Sequence, residues 1–288
     1  MEIIHTRNSM ELATAIAREL SISVFASNVR RFANNEIVVL IPKHFYQVIV
    51  VTSTVTNEDW IELFFLLNAL REAERVILCM PYMGYSRQNI SNQNESFGVG
   101  VFSHLLEQTN VSYLIILDNH CELPIGMPYT HISAEKIFIT DIGGSYRADD
   151  IAIVSPDIGG ARRANGISKA LGCDLIICNK VRDVFGELKK TDVLGNVTDK
   201  ICVIVDDIVD SGATICSAVD ALQKVGCRGV MAYATHGILS QGAVAHLEKS
   251  SLTQIILTDS VGCTMVLPQK FRKLSVASLM ADSIRYIL

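Results

Sequence analysis

Short apolar runs alternate with segments of helical periodicity along almost the whole chain, and this alternation restricts the fold more than any other feature. The runs fall at Gln47 to Val51, Val76 to Met80, Tyr113 to Leu117 and Ile151 to Val154, then at Leu175 to Cys178, Cys202 to Val205, Gly229 to Ala234 and Gln254 to Leu257. They are continuous rather than alternating, as strands buried on both faces of a parallel sheet are. Helical patterns lie between them. Asn57 to Glu74 carries Trp60, Leu63, Phe64, Leu67 and Leu70 at helical spacing, and Phe97 to Gln108, Gly160 to Leu171 and Ala213 to Val225 repeat the pattern. An α/β fold of βαβ units with mostly parallel sheets flanked by helices is the expected outcome.

The chain has 288 residues, 49% of them hydrophobic, enough for two compact domains each with a core of its own. The Gly- and Asp-rich stretch from Thr140 to Asp150 divides it into parts of similar length and similar element order. The expectation is therefore two related domains, 1–145 and 146–288.

A net charge of −5 supplies no basic field for a polyanion, so nucleic acid is not an expected partner and anionic ligands must be held by local cations and helix ends. The eight cysteines form no C-x-x-C pair, and Cys79, Cys178 and Cys202 fall inside apolar runs. They read as reduced core thiols. Neither a signal peptide nor a bilayer-spanning stretch is legible, and the expectation is a soluble cytoplasmic protein with no membrane partner.

The run Ile201-Cys202-Val203-Ile204-Val205-Asp206-Asp207-Ile208-Val209-Asp210-Ser211-Gly212-Ala213-Thr214 reads as a grip for a sugar phosphate. A buried strand ends in two carboxylates, and Ile215, Ala218, Val219 and Leu222 then follow at helical spacing. Ligands of open α/β sheets bind beyond the carboxyl ends of strands, where the N–H groups of the next helix favour an anion. Gly212 and Ala213 allow close backbone approach, Ser211 and Thr214 can donate from hydroxyls, and Asp206 and Asp207 can accept from paired sugar hydroxyls. A capped strand-to-helix turn would explain Asp210 or Ser211 alone. It does not explain two adjacent acids after a buried strand, which are costly without partners. Val154-Ser155-Pro156-Asp157-Ile158-Gly159-Gly160-Ala161-Arg162-Arg163 forms a second such corner, a second place for phosphate.

The 201–214 run resembles the phosphoribosyl-diphosphate (PRPP) motif of phosphoribosyltransferases and PRPP synthetases. The remaining motifs resemble the synthetase family, ribose-phosphate pyrophosphokinase, over nearly the whole chain. Arg31-Phe32-Ala33-Asn34-Asn35-Glu36-Ile37 is similar to its R-F-x-D-G-E-x, and Pro81-Tyr82-Met83-Gly84-Tyr85-Ser86-Arg87-Gln88 to its P-Y-x-G-Y-A-R-Q loop. Asp118-Asn119-His120 resembles D-L-H, Lys180-Val181-Arg182 resembles K-x-R, and Thr235-His236-Gly237 resembles T-H-G. The second corner has a close counterpart there too.

The resemblance implies two phosphoribosyltransferase-like domains and transfer of diphosphate from ATP to ribose 5-phosphate, with Mg2+ as cofactor. It implies that His120 and Asp157 help hold the metal, and that Arg87 and Gln88 contact the triphosphate with His120 beside them. Lys180 and Arg182 would stabilise transition-state charge, while Asp157, Ile158, Gly159 and Gly160 cradle the diphosphate. Asp206 and Asp207 would take the ribose hydroxyls, and Asp210, Ser211, Gly212, Ala213 and Thr214 the 5-phosphate. Phe32, Asn34 and Glu36 would contact adenine in a neighbouring subunit, so a homo-oligomer, dimer or hexamer, is implied. Taken singly, Phe32 could be core, His120 an ordinary strand-end histidine and Lys180 with Arg182 a solvated strand end; His236 reads as structural.

The chain departs from the family pattern in three places. Asn34-Asn35 replaces Asp-Gly. Asn89-Ile90 stands where an acid and a base usually follow R-Q, and Gly98-Val99-Gly100 replaces a segment that normally carries a lysine. Pro42-Lys43-His44-Phe45-Tyr46 follows Ile41 without the S-V-R-G that helps bind regulatory phosphate or ADP. The first departure bears on nucleotide preference and the third on regulation. Two other readings are a catalytically silent subunit associated with a PRPP synthetase and a phosphoribosyltransferase.

Overall fold

The apolar runs become the central strands of two sheets in a computed structural model that describes all residues except 91–93, 183–187 and 264, with 180–182 and 188–190 described by backbone alone. By contact the chain divides into Met1–Ser133 with Asp259–Thr264 and Ser275–Leu288, and Ala134–Thr258 with Met265–Leu274.

The first unit contains β1 (Glu2–His5), α1 (Met10–Leu20), β2 (Val24–Ala26), β3 (Asn28–Arg31), β4 (Ile37–Leu40), β5 (Gln47–Val51) and α2 (Asn57–Ala69). β6 (Arg75–Met80), α3 (Gly98–Glu107), β7 (Val111–Leu117) and β8 (Tyr129–Ile132) follow. A six-stranded sheet runs β2-β1-β5-β6-β7-β8, parallel throughout, and β3 pairs antiparallel with β4 in a separate hairpin. α2 starts where the sequence expects it, because Thr56 and Asp59 close a reciprocal capping box. Its Trp60, Leu63, Leu66 and Leu67 join Val48, Val50, Leu78 and Ile116 in one core.

The second unit contains α4 (Glu135–Ser145), β9 (Ile151–Ser155), α5 (Ala161–Leu171), β10 (Asp174–Arg182), β11 (Leu188–Leu194), β12 (Ile201–Val209) and α6 (Ala213–Lys224). β13 (Gly229–Gly237), α7 (Ala243–Lys249), β14 (Leu252–Thr258) and β15 (Phe271–Leu274) complete it. Its sheet order is β11-β10-β9-β12-β13-β14-β15, parallel except for the β10–β11 pair. The final helix, α8 (Ala277–Ile287), belongs to the first unit, where it packs on α1 and Arg75 donates to the Ile287 carbonyl at 2.8 Å.

The division therefore differs from a single cut after residue 145. Residues 140–145, which composition marks as a boundary, continue α4. The reason is tertiary: Phe138 and Ile142 are buried, and Asp141 receives Arg272 at 2.9 Å and the Tyr233 hydroxyl at 2.6 Å. All eight cysteines are free thiols, and Cys79, Cys178 and Cys202 are buried. Among the described residues no helix is long and apolar enough to cross a membrane.

Candidate functional site

β12 runs further than its apolar stretch. It continues through Asp206 and Asp207 to Val209 because β13 pairs with it along its length, Asp206 opposite Ala234 and Val209 opposite Gly237. The two carboxylates thus project from a strand, which fixes them more firmly than a loop would. The connection to α6 shrinks to Asp210, Ser211 and Gly212. Gly212 is the cap residue at φ 77°, a left-handed conformation natural to glycine, and a Cβ there would lie 2.8 Å from Leu247. The Ala213 N–H donates to Ser211 Oγ at 3.4 Å, which folds the loop onto the first turn at the positive end of the helix.

The second corner is built the same way. Ser155 donates to the Asp157 carbonyl at 2.6 Å, and Asp157 Oδ1 accepts the Gly160 N–H at 3.1 Å, folding residues 155–160 into a tight turn before α5. A Cβ on Gly160 would sit 2.9 Å from Ser155 Oγ, so glycine is required by packing. Ile158 is 67% exposed at the crest. Sheet order places this corner, after β9, next to the one after β12.

Charge ties the corners together. Arg163, on the first turn of α5, places its guanidinium 3.8 Å from Asp207 Oδ1. Asp206 Oδ1 accepts the Asp207 N–H at 2.9 Å. Burial, and then the negative charges of Asp207 and Asp157, hold the Asp206 carboxyl well above the usual carboxylate range. Sequence reasoning assigned Arg163 no role, although the paired arginines at the helix start were the available signal.

Lys180 and Arg182 lie on β10, where the strand leaves β9 and turns antiparallel against β11, Lys180 opposite Thr191 and Arg182 opposite Leu188. Their side chains fall outside the described residues. His236, expected to be structural, is buried on β13.

In the first unit the expected residues occupy three separate loops. Phe32, Asn34 and Glu36 form the tip of the β3–β4 hairpin. Phe32 is 58% exposed, so it is not core. The Asn pair is explained by geometry: Asn35 sits at φ 70°, which asparagine tolerates better than other side chains, and Asn34 Oδ1 accepts the Glu36 N–H at 3.2 Å.

Arg87 and Gln88 follow a turn at the end of β6. The Gln88 N–H donates to the Tyr85 carbonyl at 2.9 Å, and the Val99 N–H to the Gln88 carbonyl at 3.3 Å. Gly98 and Gly100, in place of a lysine-bearing segment, both stand in tight spaces. A Cβ at 98 would meet Gln88 Oε1 at 2.7 Å, and one at 100 the Phe97 ring at 2.3 Å. His120 is exposed on the loop after β7, where Asp118 is buried and its N–H donates to the Ile132 carbonyl at 2.8 Å.

Among the described residues no group of three or more His, Cys, Asp or Glu side chains could hold a metal ion unaided. The donors present are hard carboxylate oxygens, Asp157, Asp206 and Asp207, whose mutual repulsion raises Asp206. Among them Asp157, which the resemblance assigns to the metal, suits Mg2+, an ion that takes one or two carboxylates and completes its shell with water and substrate phosphates.

Comparison with known proteins agrees with this layout. Residues 1–109 match the model of the N-terminal domain of ribose phosphate pyrophosphokinase, and residues 176–288 that of the phosphoribosyl synthetase-associated domain. The chain is 34% identical to a ribose-phosphate pyrophosphokinase of Agrobacterium fabrum, over 99% of this chain and 96% of that one. It is 35% identical to one of Rhizobium meliloti with the same coverage. The crystal structure of phosphoribosylpyrophosphate synthetase from Mycobacterium smegmatis superposes with a TM-score of 0.90 at 29% identity, covering 99% of this chain and 98% of that one. On motifs, fold and near full-length identity, the chain belongs to the ribose-phosphate pyrophosphokinase family.

Proposed function

We propose that the chain performs its family's reaction with its own residues in specific places: ribose 5-phosphate and ATP give PRPP and AMP. The anomeric hydroxyl oxygen forms a bond to the β-phosphorus, the bond from that phosphorus to the oxygen bridging the α-phosphate breaks, AMP leaves with the bridging oxygen, and the hydroxyl proton is lost. Diphosphate moves as a unit, so the protein's work is positioning and charge stabilisation.

The observation that carries the assignment is the pair of neighbouring strand-end corners in the second unit, joined by Arg163 and Asp207. Asp206 and Asp207, fixed on β12, accept from the ribose hydroxyls, and the start of α6 at Ser211 to Thr214 takes the 5-phosphate, with Asp210 in the same loop. Asp157 to Gly160 receive the diphosphate. Lys180 and Arg182, assigned by family resemblance, stabilise charge on the transferring group. The first unit supplies the nucleotide side through Arg87, Gln88 and His120, and the 32–36 hairpin presents Phe32, Asn34 and Glu36 to adenine of an adjoining subunit in a homo-oligomer. Asp157 and His120 are the residues that would hold Mg2+. When bound, the ion neutralises charge on the triphosphate. A cytoplasmic setting follows from the substrates.

Incubation with ATP labelled at the β-phosphorus and ribose 5-phosphate tests this reading. Label in PRPP with unlabelled AMP supports it. Label retained in ADP or released as free diphosphate, or nucleotide binding without any product, contradicts it, and the last outcome favours a silent associated subunit.

A further inference from the structure

Tyr85 is an aromatic residue at φ 65°, a backbone conformation that a bulky side chain adopts only when its surroundings impose it. The surroundings are identifiable. Just upstream, Met83 bridges to Thr54, the Thr54 N–H donates to the Tyr82 carbonyl at 3.0 Å, and the Gly84 N–H donates to Thr54 Oγ1 at 3.0 Å. Gly84 lies so close that a Cβ on it would be 2.2 Å from the Thr54 carbonyl oxygen. The Tyr85 ring then packs on Phe102 of α3 with centroids 4.6 Å apart, and Phe102 stacks on Trp60 of α2 at 4.1 Å and 23°. The Tyr85 hydroxyl donates to Asn57 at the start of α2.

Downstream the frame closes again. Gln88 is tied to the Tyr85 carbonyl and to the Val99 N–H, and a Cβ on Gly98 would lie 3.1 Å from the Tyr85 ring as well as against Gln88. Residues 82–84 and 88 are therefore pinned, and the direction of the chain between them turns on one strained residue. Arg87, two residues on, is exposed.

From this we infer that Tyr85 is a positioning residue for nucleotide: the Tyr85–Phe102–Trp60 stack holds the left-handed turn that aims Arg87 and Gln88 at the triphosphate. The inference rests on the reading of Arg87 and Gln88 given above. Phe102 and Trp60 act through Tyr85 and touch no substrate.

The test compares Tyr85→Gly, which accepts the backbone angle but loses the ring, Tyr85→Phe, which keeps the ring but loses the bond to Asn57, and Gly98→Ala, which leaves Tyr85 in place and crowds both its ring and the Gln88 side chain tied to it. KM for ATP is expected to rise tenfold or more in Tyr85→Gly and Gly98→Ala. It should rise no more than threefold in Tyr85→Phe, with KM for ribose 5-phosphate within twofold of wild type in all three. An ATP KM within twofold of wild type in Tyr85→Gly overturns the inference, as does a parallel rise for both substrates accompanied by a fall in Tm. Should Tyr85→Gly not fold, Gly98→Ala and Tyr85→Phe decide by the same limits. If the wild type forms no PRPP, the functional reading fails and the same ordering is read from calorimetric Kd values for ATP. Absence of ATP binding by the wild type overturns both.

Discussion

Arg163 and Asp207 face each other at 3.8 Å, mostly buried, and so link the helix that follows the Asp157 corner to the strand that leads into the 210–214 loop. Arg163 sets a cation against Asp207, and removing it takes that charge away from the corner. Arg163→Ala should raise KM for ribose 5-phosphate about tenfold, equivalent to roughly 1.4 kcal/mol, and lower stability by about 1 kcal/mol. Steady-state kinetics with each substrate varied, together with a urea melt, check both. An unchanged KM would remove Arg163 from the account.

Asp206 carries a cost to folding. Its carboxyl is held high by burial and by Asp207 and Asp157, so the fold disfavours its charged form. An acid whose folded pKa is raised subtracts stability as pH rises from its unfolded value through its folded one. Asp206→Asn should therefore melt higher than wild type at neutral pH, by a few degrees, while losing most ribose 5-phosphate binding. A lower Tm in the ligand-free variant would contradict the argument.

How much of this could be read beforehand depends on whether the cause was local. The strands from β5 to β7, β9 and β12 to β14 were legible because continuous apolar runs leave little alternative. The extension of β12 through Asp206 and Asp207 was not, since its cause is pairing with β13 rather than anything in the residues themselves. The same holds for α8, whose periodicity is plain but whose place beside α1 depends on a distant contact, and for β11, which exists as the antiparallel partner of β10. Composition misread residues 140–145: Asp141 looks like a loop residue and is instead the acceptor for Arg272 and Tyr233. Of the candidate site, both corners were visible as glycine-bearing strand ends. The exposure of Phe32, the strained Tyr85 and the partner of Asp207 required coordinates.

That Asp141 network gives an acid-sensitive contact in the second unit. Hydrogen bonds from Arg272, and also from Tyr233, hold the Asp141 carboxyl below the usual range against the opposing effect of burial. An acid with a lowered folded pKa contributes stability that is complete above its unfolded value, about 4, and is lost as pH falls through the folded value. Asp141→Asn should cost about 2 kcal/mol at neutral pH and flatten the acid limb of stability against pH, whereas Tyr233→Phe should cost about 1 kcal/mol. Urea melts across the acidic range measure both, and an equally steep acid limb in Asp141→Asn would contradict the assignment.

The segment after β4 bears on regulation. Phe45 is buried and packs edge-on against Phe25 at 5.6 Å, while Lys43 bonds Glu2 at 2.7 Å and lies over the Phe25 ring at 4.8 Å. These side chains are committed to packing where the family carries phosphate-binding residues. Activity should need no inorganic phosphate, and ADP should inhibit competitively with ATP. A steep phosphate activation curve would show that regulation survives by other residues.

We propose that Lys180 and the two corners of the second unit carry diphosphate transfer in this family member. AMP and PRPP formation from ATP, ribose 5-phosphate and Mg2+, compared between wild type and Lys180→Ala, tests it most directly. Stoichiometric AMP and PRPP are expected from the wild type, and a fall of at least a hundredfold in kcat from the variant, with KM for ribose 5-phosphate little changed. No product from the wild type, or a variant as active as the wild type, would contradict it.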